Sequence, residues 1–548
     1  MSSTHKHAVA DEPVTSVLPG GDVPYDPNHE FNPDEEVLAA LGYKSEFKRE
    51  FSLFTTFCVS FAVLGLLPSF ASTLYYGMGY AGTAGMTWGW MVAMIGIQCV
   101  ACTVLAPPGW GPFAAWITGW SNWLSQVTAA PSVNYGISAM ILAAASIRDP
   151  TYVPTEYQTF LLTVFIMILH AIMSSLPTRW LAQINSGGST FNFIALVVVI
   201  ILIPAGTDRE ERGLSKFTPS REVWGTIYEG TSFPPGISVL MSFIGVIWTM
   251  SGYDSPFHLA EECSNANMAA PRAIVLTSAT GGIFGWFLQL VVAYTVVDID
   301  GVLNSDLGQP FAAYLMQCMT EKMTLAILAL TIIAGFSMGQ GCMIAASRVT
   351  FAYARDDCFP LSRIWSKVNK HTQTPVNAVW LNCAVGIACL LLIFGGEIAI
   401  GALFSIGAIA AFVAFTTPIF IRVFFVGNRF RPGPWNLGRF SIPTGIVASA
   451  FVILMVPILC FPSVTGPDLH ADVMNWTVVV YAGPMLAVCI WWVVSARKWF
   501  KGPKVNVAHM MHGEEQSILE GQNVQRSITS ESGNGAPEKL QKVASPHQ

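Results

Sequence analysis

A single acidic residue, Asp254, offers the chain's clearest opening for chemistry. It lies in the stretch SVLMSFIGVIWTMSGYDSPFHLAEECSNANMAAPR, from Ser238 to Arg272, where an apolar helix runs into Ser251-Gly252-Tyr253-Asp254-Ser255-Pro256. Gly252 lowers helix propensity, and Pro256 removes a donor and collides with the carbonyl four residues back. The helix is therefore expected to break there and to resume for about two turns, ending near Glu261 and Glu262. A carboxylate beside a break in an apolar span is costly unless it faces a cavity or a partner. Asp254 is thus expected to line a binding site, with Ser251, Gly252 and Tyr253 beside it. The plainer alternative is a proline kink that leaves Asp254 at a helix end in water. A second interruption weighs against it, because Phe51 to Tyr75 (FSLFTTFCVSFAVLGLLPSFASTLY) breaks near its middle at Gly65-Leu66-Leu67-Pro68-Ser69. Two broken spans, the first and the sixth, point to a transporter built from inverted repeats, with its site at the bilayer midplane.

The elements that must position these residues are read from the hydrophobic pattern. Of 548 residues, 52% are hydrophobic and only 11% charged, against roughly a quarter charged in soluble domains. That is the composition of a chain embedded in lipid. Apolar runs of about twenty residues predict twelve spans, near 51–75, 83–106, 112–146, 157–175, 188–205, 236–262, 273–297, 324–346, 376–394, 398–421, 443–462 and 475–495. The third is long for one crossing and contains Pro131, so a kink or tilt is expected there. The expected organisation is a tail over 1–50, a twelve-span domain over 51–500 and a tail over 501–548. Both tails lack apolar periodicity for most of their length, apart from a short acidic amphipathic stretch at Asp34 to Leu41.

An even number of spans puts both tails on one side, and charge says which. With the tails inside, the inner segments hold about eighteen Lys and Arg and the outer ones about six, as the positive-inside rule requires. The inner set includes Lys48, Arg49, Arg348, Arg355, Arg363, Arg422, Arg439 and Arg497. Both termini are therefore expected to be cytoplasmic. The plasma membrane is the expected location, ahead of the vacuole. Trp88, Trp90, Trp110, Trp116, Trp120, Trp123 and Trp499 gather toward span ends, where an interfacial aromatic belt is expected.

Several classes of function are disfavoured. A formal net charge of −6 offers no basic surface for nucleic acid. No His/Cys/Asp/Glu set has metal spacing, and neither a nucleophile elbow nor a phosphate loop is present. The chain is thus read as no enzyme, with no cofactor and no nucleotide, so that a proton or substrate gradient must drive it. The eleven cysteines are scattered, and the lone Cys99/Cys102 pair reads as helix packing. His170 and His258 stand alone in apolar surroundings and read as packing histidines.

Three motifs in order resemble one family. SGYDSPFHLAEECSNANMAAPRAI, GLLPSFAST in the first span and ASRVTFAYARDDCFP at Ala346 to Pro360 are similar to fungal members of the amino acid/choline branch of the amino acid–polyamine–organocation superfamily. The likeness is closest to GABA permeases. The resemblance implies an all-α membrane protein of the leucine-transporter-like fold, with spans one to five and six to ten as inverted repeats and two more added. It implies broken spans one and six facing each other around a small zwitterionic or cationic amine, with a proton as coupling ion. The half-helix from Ser69 would offer N–H groups to a substrate carboxylate, and Asp254 would accept an amine. Trp248 matches the position of a substrate-covering tryptophan, where an indole face suits a cation. Glu261 and Glu262 oppose their helix dipole, so an inner gate paired to Arg272, or to Arg348 or Arg355, is expected. The runner-up substrates are choline, a polyamine or a small alkaloid, taken up or exported. A transport-inactive membrane sensor is the alternative of another class.

One departure from the family pattern stands out. Gln98 to Leu105 runs directly into Ala106-Pro107-Pro108-Gly109-Trp110-Gly111-Pro112, where the relatives carry a cytoplasmic loop of something like eighteen more residues. What remains from Gly82 to Ala106 still suffices for a crossing at about 1.5 Å per residue.

Overall fold

A computed structural model describes residues 51–103, 111–426 and 435–500. The two tails, the junction around Ala106 and Trp110 lie outside the described residues. Within them the fold is all helical. The one β-type pairing is an isolated bridge between Phe51 and Cys263.

The helices used below are α1 (Leu53–Leu64), α2 (Leu66–Thr103), α3 (Gly111–Arg148), α4 (Glu156–Ser174), α5 (Thr178–Ala205), α6 (Pro235–Thr249), α7 (Ser255–His258), α8 (Ala266–Thr295), α9 (Pro310–Cys318), α10 (Glu321–Arg355), α11 (Val376–Cys389), α12 (Gly396–Ile421), α13 (Ser441–Ile458) and α14 (Thr477–Val494). Their starts follow local chemistry. Ser52 caps α1 by accepting from the Thr55 N–H, and Thr155 with Gln158 closes a reciprocal capping box on α4. Inside α3, Pro131 leaves an unbroken helix.

Among the described residues ten stretches are long and apolar enough to cross a membrane. The first, Leu53–Ala101, holds two crossings. Gly82 sits at φ 62°, ψ −155° inside α2, and the packing shows that the chain folds back there. A Cβ on Gly281 of α8 would meet Leu64 at 2.6 Å, while one on the adjacent Gly282 would overlap the Met94 side chain. Residues thirty apart in sequence thus lie at one depth of the same helix. The sixth crossing begins with α6, whose 15 residues reach only about 22 Å, and continues through a break to Glu262. Split and completed in this way, the ten stretches become the twelve expected crossings.

The first and sixth crossings are the broken ones, five apart, as paired repeats require. They also touch. Thr73 and Thr249 hydroxyls are 3.3 Å apart, Ser60 donates to the Tyr253 carbonyl, and the Gly245 Cβ position lies 3.3 Å from the Gly77 backbone.

The tryptophans correct the interfacial reading. Trp90 and Trp116 are fully buried. Trp90 lies on glycines of α8, with its Nε1 donating to Gly282 O at 2.8 Å, and a Cβ on Gly285 would overlap its ring. Trp116 stacks edge-on with Trp491, Trp499 and Phe500 and donates to Val488 O, so it joins the start of α3 to the end of α14. Trp120 and Trp123 continue that cluster onto Phe359. Trp88 and Trp499 do keep large exposed surfaces. Sequence position near a span end cannot tell a lipid headgroup from a neighbouring helix.

Gly65 tests the break directly. Its φ is +45°, and an added Cβ would fall 2.8 Å from Met338 Cβ, whereas Gly77 has open space at its Cβ position. Gly65→Ala should destabilise the detergent-purified protein by about 1–3 kcal/mol through the left-handed backbone and the overlap. Gly77→Ala should stay within about 0.5 kcal/mol. Thermal unfolding of both variants checks this, and equal midpoints would remove the claim.

Candidate functional site

The sixth crossing comes apart over five residues. Met250 N still donates to Val246 O at 2.8 Å, and Ser251 N turns to Trp248 O. Gly252 then takes φ 98°, a conformation open to glycine, with its Cβ position 3.2 Å from the Val63 carbonyl. Helix geometry returns at Ser255 with Pro256 in the first turn, where a missing N–H costs nothing. The resumed segment is one α-turn followed by a 3₁₀ turn over Ala260–Glu262, close to the expected length.

Asp254 ends up in the unwound stretch and 2% exposed. Its Oδ2 accepts from Gln126 Nε2 at 3.0 Å and lies 2.8 Å from His258 Nε2; Gln126 and His258 are themselves 3.3 Å apart. Among the described residues Oδ1 has no such bond. A buried carboxylate is thereby held in place by a neutral amide and an imidazole.

This geometry corrects the reading of His258 as an isolated packing residue. Its four-residue spacing from Asp254 places both on one face of the resumed helix, a signal present in the sequence. Gln126 arrives from α3 and carried no such signal. His170 does pack, fully buried against Phe336 with ring centroids 4.4 Å apart.

A cavity of about 40 Å³ adjoins Asp254, lined by Trp248, Ser251, Gly252, Tyr253, Gln126 and Val63 among others. At about 10–15 Å³ per water in this measure, it has room for about three or four waters. Trp248 forms part of its wall and meets Phe404 of α12 edge-on at 5.0 Å. The other broken span contributes less than expected. Leu66, Leu67 and Ser69 are each 1% exposed and packed in the core, Ser69 Oγ returns to Leu64 O at 3.0 Å, and Pro68 lies against Gly335. Val63, just before Gly65, is the residue that reaches the cavity.

On the face that carries the chain ends, two ion pairs join the end of the sixth crossing to α10. Arg348 Nε donates to Glu262 Oε1 at 2.8 Å, with both side chains under 5% exposed. Arg355 grips Glu261 through both oxygens at 3.0 and 2.5 Å. Phe51 is stitched to the same segment through Phe51 N to Glu262 O and Ser264 N to Phe51 O. Arg272 takes no part, because it is exposed on the first turns of α8. The partners come from the eighth crossing, which packs against the sixth though far from it in sequence.

Comparisons with known proteins bear on the same region. The family model for amino acid permeases matches residues 51–484. An uncharacterised amino-acid permease of Schizosaccharomyces pombe is 56% identical, covering 89% of this chain and 93% of its own. A putative polyamine transporter of Candida albicans is 46% identical over 94% and 99%, and an amino-acid permease of Arabidopsis thaliana is 29% identical over 86% and 96%.

The two ion pairs should differ in weight. Breaking a buried pair from one side strands a charge and costs about 3–5 kcal/mol, while a partly exposed pair is worth about 1 kcal/mol or less. Arg348→Met should therefore lower the unfolding midpoint far more than Arg355→Met, and adding Glu262→Met to Arg348→Met should restore most of it. Equal losses for the two single variants would overturn this.

Proposed function

The chain belongs to the amino acid permease family, and from that premise we propose that it is a proton-coupled secondary transporter of a small amine-bearing solute, an amino acid of the GABA type first. The observation that carries this reading is Asp254, a buried carboxylate in an unwound membrane segment with a cavity against it. A charge in that position is retained at a cost unless it meets a cation.

The two loads fall on different atoms. Gln126 and His258 both engage Oδ2, so a proton held on His258 leaves Oδ1 to accept a substrate ammonium. Carbonyls freed at the end of α6 add the negative end of a helix dipole on the same side. With Asp254 supplying one negative charge and the solute's own carboxylate the second, a proton on His258 and a zwitterion's ammonium balance to zero, which is the requirement for moving them together.

Alternating access follows from the two closures. The Glu262–Arg348 and Glu261–Arg355 pairs shut the terminal face, which the excess of Lys and Arg assigns to the cytoplasm. Trp248 against Phe404 separates the site from the opposite face. Room for about three or four waters is too little for the heavy atoms of an amino acid, so substrate entry requires that aromatic partition to move.

A polyamine is the second reading. The cavity lining carries one carboxylate and no Lys or Arg to meet a substrate carboxylate, and the Candida albicans relative bears a polyamine name. Choline remains the third probe. The plasma membrane is the proposed location.

Uptake of radiolabelled GABA, putrescine and choline in a yeast host lacking its own permeases, with and without a protonophore, separates these readings. The expected outcome is protonophore-sensitive uptake of GABA or putrescine. No uptake by protein delivered normally to the membrane would favour a sensor instead. Asp254→Asn should raise the apparent KM at least about tenfold, the equivalent of losing one charge-assisted bond, and should flatten the pH dependence. Glu261→Arg should abolish cycling at normal surface abundance, and full activity would remove the gate.

A further inference from the structure

On the face opposite the ion pairs lies a cavity of about 190 Å³, several times larger than the one at Asp254. Among the aliphatic side chains of its wall stand six aromatic rings, four of them tyrosines. Tyr76 and Tyr80, one helical turn apart on α2, have ring centroids 6.1 Å apart, and Tyr75 sits edge-on to Tyr76 at 5.4 Å. Across from them Tyr135 of α3 meets Phe404 of α12 edge-on at 6.3 Å. Phe404 is the ring that also touches Trp248, so one aromatic layer separates this cavity from the inner one.

The remaining lining is neutral. Hydroxyl and amide groups such as Ser72, Ser305 and Gln309 contribute, and no Asp, Glu, Lys, Arg or His does. The loop over residues 298–309, which supplies Ser305 and Gln309, carries Asp298, Asp300 and Asp306 and no basic residue. Its field draws cations toward the mouth. Tyrosine rings attract an ammonium by their quadrupole, more strongly when water is excluded. A carboxylate or phosphate finds neither a positive side chain nor a favourable ring face there.

We propose that this outer cavity is a second binding site, selective for ammonium cations, in which the rings of Tyr76, Tyr80 and Tyr135 hold an amine before the Phe404–Trp248 layer admits it to Asp254. The proposal deepens the transport reading and rests on it for the order of events. The cage itself is a statement about binding alone.

Tetramethylammonium is a suitable probe, since it is cationic, makes no hydrogen bonds and is too large for a cavity of about 40 Å³. Equilibrium binding of the labelled cation to the purified full-length protein should be saturable and unchanged in Asp254→Asn. It should weaken about tenfold in Tyr135→Leu and in Tyr76→Leu, the loss of one desolvated ring face, and persist in Tyr135→Phe, which keeps the ring. If the leucine variants fail to fold, the phenylalanine and asparagine variants still decide. Absence of saturable binding to the wild type, loss of it in Asp254→Asn, loss in Tyr135→Phe, or undiminished binding in folded leucine variants would each overturn the cage. Wild-type protein that binds the probe but takes up no amine would sink the transport reading and leave the cage standing.

Discussion

Hydrocarbon offers no hydrogen bonds, so a helix can open within it only where protein supplies what the lost turns had supplied. Both openings in this chain meet that condition with serines. Ser69 donates to Leu64 O, Ser60 to Tyr253 O, Ser251 to Ile247 O and Ser255 to Gly252 O. Each hydroxyl takes up a carbonyl at or beside a break. The two glycines, Gly65 and Gly252, provide the backbone conformations that other residues would resist. Because the broken spans face each other, each also shields the other's irregular backbone from lipid.

That mutual shielding is what allows Asp254 to be where it is. An acid on an intact helix at this depth would point at a packed neighbour. On an unwound segment it reaches a cavity and still keeps Gln126 and His258 as partners. The cavity is therefore lined from six crossings, the first, second, third, sixth, eighth and tenth, and Phe404 of α12 backs its Trp248 wall.

The two faces are closed by different physics. On the terminal face charges are paired at hydrogen-bond distance, one pair nearly dry, so opening requires hydrating or re-pairing four ionised groups. On the opposite face the barrier is a contact between two aromatic rings, which rotamer changes can undo without stranding a charge. The larger cavity lies on the aromatic side. The conformation is accordingly one in which ion pairs tie the terminal side together and the opposite cavity lies a single aromatic layer from the one at Asp254.

The sequence alone determined that the chain is a twelve-span membrane protein, where its first and sixth spans open, and that Asp254 stands at the second opening. These are local facts: an apolar run of a given length, a Gly or Pro that cannot continue a helix, and an acid within it. Its motifs also placed the family. Tertiary structure decided which side chains meet. It gave Glu262 to Arg348 rather than to the nearer Arg272, brought Gln126 to Asp254 from 128 residues away, and withdrew Leu66, Leu67 and Ser69 into the core while Val63 took the cavity. It also moved Trp90 and Trp116 from the lipid boundary to seams between helices. Partner choice depends on how helices rotate and pack against one another, and hydropathy, which is read along one helix at a time, carries no term for that rotation.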